Sequence, residues 1–158
     1  MAEKKYTPMM QHYLKMKEEN PDSILFYRLG DFYEMFFEDA KLVSQELDLV
    51  LTGRSAGVEE KVPMCGIPFH AANSYIQRLV KKGYKVAICE QLEDPSSAKG
   101  LVDRGIIKII TPGTYMDATM DAKSTNYMAS CDVSSFEITV IYCELSTGEL
   151  KYQTLQRS

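Results

Sequence analysis

The chain has no Cys-x-x-Cys pair, no long apolar run, no Gly-rich phosphate loop and no surplus of basic residues. Each absence removes a class of protein. Cys65, Cys89, Cys131 and Cys143 stand far apart, which argues against a zinc or thiol-redox site. Three of the four lie in apolar runs, where a free Cys acts as a small core residue, so reduced thiols and a cytoplasmic setting are expected. His12 and His70 have no companions at metal-ligand spacing, so no metal site is expected. No segment approaches the roughly 20 apolar residues of a membrane helix, and MAEKKYTPMM at the start is too polar for a signal peptide. G-x-x-x-x-G-K-[ST] is absent, as are a nucleophile elbow and a catalytic-triad spacing, so no ATP site and no catalytic residues are expected in this chain. Eighteen basic against twenty-two acidic residues leave a net charge of -4. Proteins that coat nucleic acid non-specifically are usually basic, because neutralised phosphates supply their affinity. A site-specific contact with nucleic acid is still allowed.

What is present is a globular composition, 45% hydrophobic over 158 residues, enough for one full domain and part of another. Thr7-Pro8 opens a helix that Asn20-Pro21 ends. Ile24 to Leu29 reads as a buried strand, and Gly30 breaks it. Asp31 stands at an N-cap position with Glu34 three residues on, so a second helix is expected from Phe32 to about Leu47, with Phe32, Phe36, Ala40, Val43 and Leu47 on one face. Strands are expected over 48–52, over 62–68 as an edge or bulged strand carrying Pro63 and Pro68, over 84–92 and over 106–111. A third helix covers about 71–82, with Gly83 at its C-terminus. A polar stretch over 116–126 reads as a linker. Alternating strands follow over 127–133 and 136–145, with a third from 150, and no helices cover them. The expected architecture is therefore mixed α/β: a central mixed sheet flanked by helices over 1–115, a linker, and a partial second domain over 127–158.

Two residues hold the functional interest, each with an ordinary alternative. Phe32 leads an apolar helix stripe and is then core; as an exposed ring it would stack on a base, worth about 1–3 kcal/mol, or wedge between base pairs. Glu34 can close a capping box; near DNA a carboxylate is repelled by phosphates and makes sense only against a base edge. Arg54, Lys61, Lys99, Arg104 and Lys108 lie in or beside predicted loops, solvated charges by default and together a phosphate-contacting rim. Pro21-Asp22 with Glu59-Glu60-Lys61 faintly follows the pattern of metal-dependent nucleases, whose carboxylates hold Mg²⁺ beside a Lys on a strand. Here Glu59 to Lys61 falls in a predicted loop.

Five segments in order, TPMMQHYL, LFYRLGDFYEMF, VPMCGIPFHA, VAICEQLEDP and IITPGT, cover nearly all of residues 7 to 114. In them the chain resembles the N-terminal mismatch-recognition domain of the bacterial DNA mismatch repair family MutS. The strands beyond the linker resemble the start of that family's connector domain, which has a ribonuclease-H-like fold. The resemblance implies that Phe32 and Glu34, matching the family's Phe-x-Glu motif, stack on and hydrogen-bond a mispaired base. It implies that Arg54, Pro63, Met64 and Arg104 stand in segments that approach the DNA. Mismatched double-stranded DNA is the implied partner. The resemblance implies a full-length parent that holds ATP and Mg²⁺ outside this chain and acts as a dimer with other repair proteins, and by it the chain itself is expected to be no enzyme. The rivals are a metal-dependent nuclease and a folded module with no measurable DNA binding.

Overall fold

The computed structural model describes residues 6–92, 102–114, 127–145 and 147–157. The chain forms two compact units, Met1–Thr111 and Pro112–Ser158. The first runs α1 (Pro8–Glu19), β1 (Ser23–Leu29), β2 (Phe32–Phe36), α2 (Phe37–Leu47), β3 (Thr52–Arg54) and β4 (Val62–Pro68). A 3-10 turn (Phe69–Ala71), α3 (Ala72–Lys81), β5 (Lys85–Gln91) and β6 (Arg104–Ile110) complete it. Its strands form one sheet in the order β3-β4-β2-β1-β5-β6. Only β1 and β5 pair in parallel; every other neighbour is antiparallel. The fold is thus mixed α/β, as expected.

The sheet is covered on both faces. On one, α1 places Met10, Tyr13 and Met16 against Leu25, Tyr27, Phe36, Val62, Ala87 and Cys89. Thr7 caps α1 through the Met10 N–H, and Pro8 takes the first helical position, where it costs no hydrogen bond. On the other face, α2 buries Ala40, Val43 and Leu47, and α3 buries Ile76, Leu79 and Val80. The Cys65 thiol donates to the Ala40 carbonyl at 3.5 Å, tying β4 to α2. Among the described residues no helix is long and apolar enough to cross a membrane.

The expected helix over 32–47 is corrected: its first five residues are the strand β2. Gly30 at φ 57° takes the first position of a two-residue hairpin turn, a site that favours Gly, and Asp31 is the second turn residue and not an N-cap. The hairpin registers Leu29 with Phe32, Arg28 with Tyr33 and Tyr27 with Glu34. Beyond Phe36 the chain leaves the sheet through Phe37, whose φ of 53° is costly for a ring-bearing residue. Two side chains take up the backbone groups left there. Asp39 Oδ2 accepts from the Leu25 N–H at 2.9 Å. The Tyr13 hydroxyl accepts from the Phe36 N–H and faces the Phe36 carbonyl, each at 3.3 Å. Lys17 Nζ then bridges Asp39 Oδ1 at 2.9 Å and the Ser23 carbonyl at 2.7 Å. Burial, and after it the Asp39 charge, push the Tyr13 phenol far above its ordinary range, so it stays a neutral donor.

Two further expectations are corrected. The strand expected over 48–52 is displaced to Thr52–Arg54, because Asp48, at φ 57°, ends α2 in a left-handed cap. Pro63 and Pro68 do not place β4 at an edge. β2 pairs with β4 only from Met64 to Pro68, so Pro63 meets β3 alone, and Pro68 ends the ladder.

The second unit is an antiparallel meander of β7 (Tyr127–Val133), β8 (Glu137–Glu144) and β9 (Glu149–Gln156). Every residue of β7 and β9 is exposed. The linker expected over 116–126 lies outside the described residues.

Candidate nucleic-acid interface

Residues opposite one another in an antiparallel pair share a face, as do residues two apart in a strand. Phe32 and Glu34 therefore lie on the α1 side of the sheet, beyond the helix, at the hairpin end. Tyr33 and Met35 turn inward on the other side and are buried. The Phe32 ring is 46% exposed, although Phe36, on the same face, is fully buried. Phe32 is thus not a core residue.

Opposite Phe32 and Glu34 stand Pro68 and Gly66 of β4. A methyl at Gly66 would lie 3.5 Å from Glu34 Cγ and 3.8 Å from Phe32 Cδ1. The bare glycine backbone is therefore the floor on which both side chains rest. From β3, Arg54 Nη1 reaches across β4 and donates to Glu34 Oε2. The Glu34 side chain is 16% exposed and that of Arg54 38%. Met64 shares this face, opposite Phe36 and Thr52, and is half-buried. Pro63 turns to the opposite face.

The hairpin tip is braced from behind. Phe69 N–H donates to the Asp31 carbonyl at 2.9 Å. The Arg28 guanidinium lies 3.8 Å from the centre of the half-exposed Phe69 ring and 3.3 Å from Glu90. The Tyr33 hydroxyl donates to the same Glu90. Burial first, then that hydrogen bond, push the Tyr33 phenol up to about 12. Sequence reading passed over this brace and the role of Gly66. A Gly inside an extended run was the available signal, since it marks a close approach of side chain to backbone.

Of the five cations expected to form a rim, the four among the described residues are not all brought together. Arg54 and the exposed Lys61 belong to the β3–β4 edge, and the exposed Lys108 to β6 at the opposite edge of the sheet. Lys99 lies outside the described residues. Arg104 is corrected from a solvated charge to a buried one, 8% exposed. Its guanidinium donates to the carbonyls of Arg28 and Val102, each at 2.9 Å, and lies 5.4 Å from the Tyr27 ring centre. Arg104 spends these donors inside the fold. Glu59 lies between β3 and β4, not on a strand, and Asp22 pairs with Lys85 at 3.8 Å. Among the described residues no three His, Cys, Asp or Glu side chains cluster to hold a metal ion. His12 Nδ1 instead meets the Tyr27 hydroxyl at 2.9 Å.

The domain is thus a mixed sheet packed on both faces, with an exposed ring beside a carboxylate on one open corner. The family model described as MutS domain I matches residues 7–119. DNA mismatch repair protein MutS of Clostridium botulinum (strain Loch Maree / Type A3) is 62% identical over 144 residues, covering 90% of this chain and 16% of that protein. DNA mismatch repair protein MutS of Clostridium tetani (strain Massachusetts / E88) is 58% identical over 146 residues, covering 92% of this chain and 17% of that protein. The chain belongs to the MutS family, through its domain I. It spans about a sixth of the length of these relatives.

Proposed function

We propose that the chain recognises mismatched bases in duplex DNA, as part of a mismatch repair protein. In this reading Phe32 stacks on or wedges beside the mispaired base, and Glu34 hydrogen-bonds its edge. The observation that carries it is the exposure of the Phe32 ring beside a carboxylate on the same face, in a strand whose other apolar side chains are buried. Base stacking on a ring is worth about 1–3 kcal/mol and tolerates any base. The carboxylate adds no general affinity, so it serves discrimination.

The test is binding to mismatched and matched duplexes at one fixed salt concentration, in a full-length family protein carrying this domain. Phe32→Ala should bring mismatch affinity down toward that for matched duplex, with the melting temperature unchanged. A core Phe would instead cost roughly 3–5 kcal/mol of stability. Glu34→Ala should hold or raise matched-duplex binding and lower the ratio of mismatched to matched affinity. If both variants keep the parent ratio, the reading is wrong.

In the same reading the parent is a cytoplasmic dimer whose ATP and Mg²⁺ belong to parts outside this chain. Titration of the chain with Mg-ATP in a calorimeter should give no stoichiometric heat. The nuclease rival predicts Mg²⁺-dependent cleavage of plasmid DNA, and the scattered placement of Asp22 and Glu59 disfavours it.

A further inference from the structure

A carboxylate that must approach a polyanion needs its charge answered and its oxygens aimed. Three features meet this need at Glu34. The residue opposite it in β4 is Gly66, so the side chain lies over bare backbone with no side chain directly across from it. Arg54, anchored on the edge strand β3, crosses that gap and holds Oε2. The pair is asymmetric: the Glu34 side chain is mostly covered, whereas that of Arg54 is more open and comes from the edge strand. From this geometry we infer that Arg54 is a positioning residue for Glu34. It aims the carboxylate beside the Phe32 ring and cancels its repulsion from DNA phosphates, and its main work is discrimination between base pairs, not general affinity. The inference rests on the proposed role of Glu34.

A positioning role and a plain phosphate contact predict different results. A phosphate contact weakens matched and mismatched duplexes by the same factor, keeps their ratio, and lowers the slope of log affinity against log salt by about one when removed. A positioning residue changes the ratio, and only while Glu34 is present.

The experiment is a double-mutant cycle on the two affinities, with Arg54→Ala, Glu34→Ala and the pair, in a full-length family protein carrying this domain. Arg54→Ala should lower the ratio of mismatched to matched affinity about tenfold, the scale of one charge-assisted hydrogen bond. Added to Glu34→Ala, it should change the ratio less than about twofold, because the partner it positions is gone. Arg54→Lys keeps the charge and a donor nitrogen, so it should recover most of the ratio; Arg54→Gln, neutral and shorter, should not. Melting curves on all variants register any loss of fold, and the Lys and Gln variants keep the comparison open if Arg54→Ala fails to fold. An unchanged ratio in Arg54→Ala, or effects of Arg54 and Glu34 that simply add, overturns the inference and leaves the role of Glu34 standing. A Glu34→Ala variant with the parent ratio overturns both.

Discussion

Cys65 and Cys89 are buried, and burial pushes each thiol up to about 12, from an ordinary 9.0. Cys131 is exposed. Since the thiolate is the nucleophile, an alkylating reagent at mildly alkaline pH should label Cys131 in the folded chain and leave Cys65 and Cys89 untouched until denaturant is added. Peptide mass mapping before and after denaturation checks this. The same residues set an alkaline limit. A folded-state pKa above the unfolded one means that the native state holds its protons longer. The stabilisation is complete below the unfolded value and is lost as pH rises toward the folded one. For Cys65 and Cys89 that window opens near 9.0, and for Tyr33, raised from 10.0 to about 12, it opens near 10.0. Melting temperature should therefore fall steadily from about pH 9 upward. A flat profile to pH 11 would contradict the burial of these groups.

At the scale of elements, the junction of β2 and α2 depends on Asp39. Its carboxylate joins the Leu25 N–H, Lys17 and the Tyr13 hydroxyl, and its side chain is 8% exposed. Asp39→Ala should cost about 3–5 kcal/mol, since it strands a partly buried ammonium and a buried N–H. Urea unfolding at neutral pH measures it, and a loss under 1 kcal/mol would show that water replaces the carboxylate. This junction is also where sequence reading failed. Phe32 and Phe36, four apart, suit a helix stripe, but residues four apart also share a face of a strand. The deciding feature was the run of aromatics at 32, 33, 36 and 37 behind Gly30-Asp31. It marks a two-sided buried strand entered by a two-residue turn. The remaining helices and the C-terminal strands were legible because caps, prolines and alternation mark them locally, and the motif singled out Phe32 and Glu34. The Arg54 contact, the burial of Arg104 and the Gly66 floor were not, since each depends on which strands become neighbours.

For the molecule as a whole, the two units differ in what covers their sheets. The six-stranded sheet is packed on both faces, whereas β7 and β9 of the meander have no buried residue. Amides of β7 to β9 should exchange with solvent orders of magnitude faster than those of β1 and β5, the most central strands. Hydrogen exchange followed by mass spectrometry checks this, and equal protection in both sheets would contradict it. The first sheet also determines how the Phe32 ring meets a load. Phe32 sits on β2, an interior strand laced to β1 through Leu29 and to β4 through Pro68. A ring driven into a stack of bases is pushed back, and on a loop that recoil would bend the mount. Here it is spread through two neighbouring strands, with the Arg28–Phe69 stack as a buttress behind the tip. In the proposed reading, the ring keeps its place and the duplex takes up the strain.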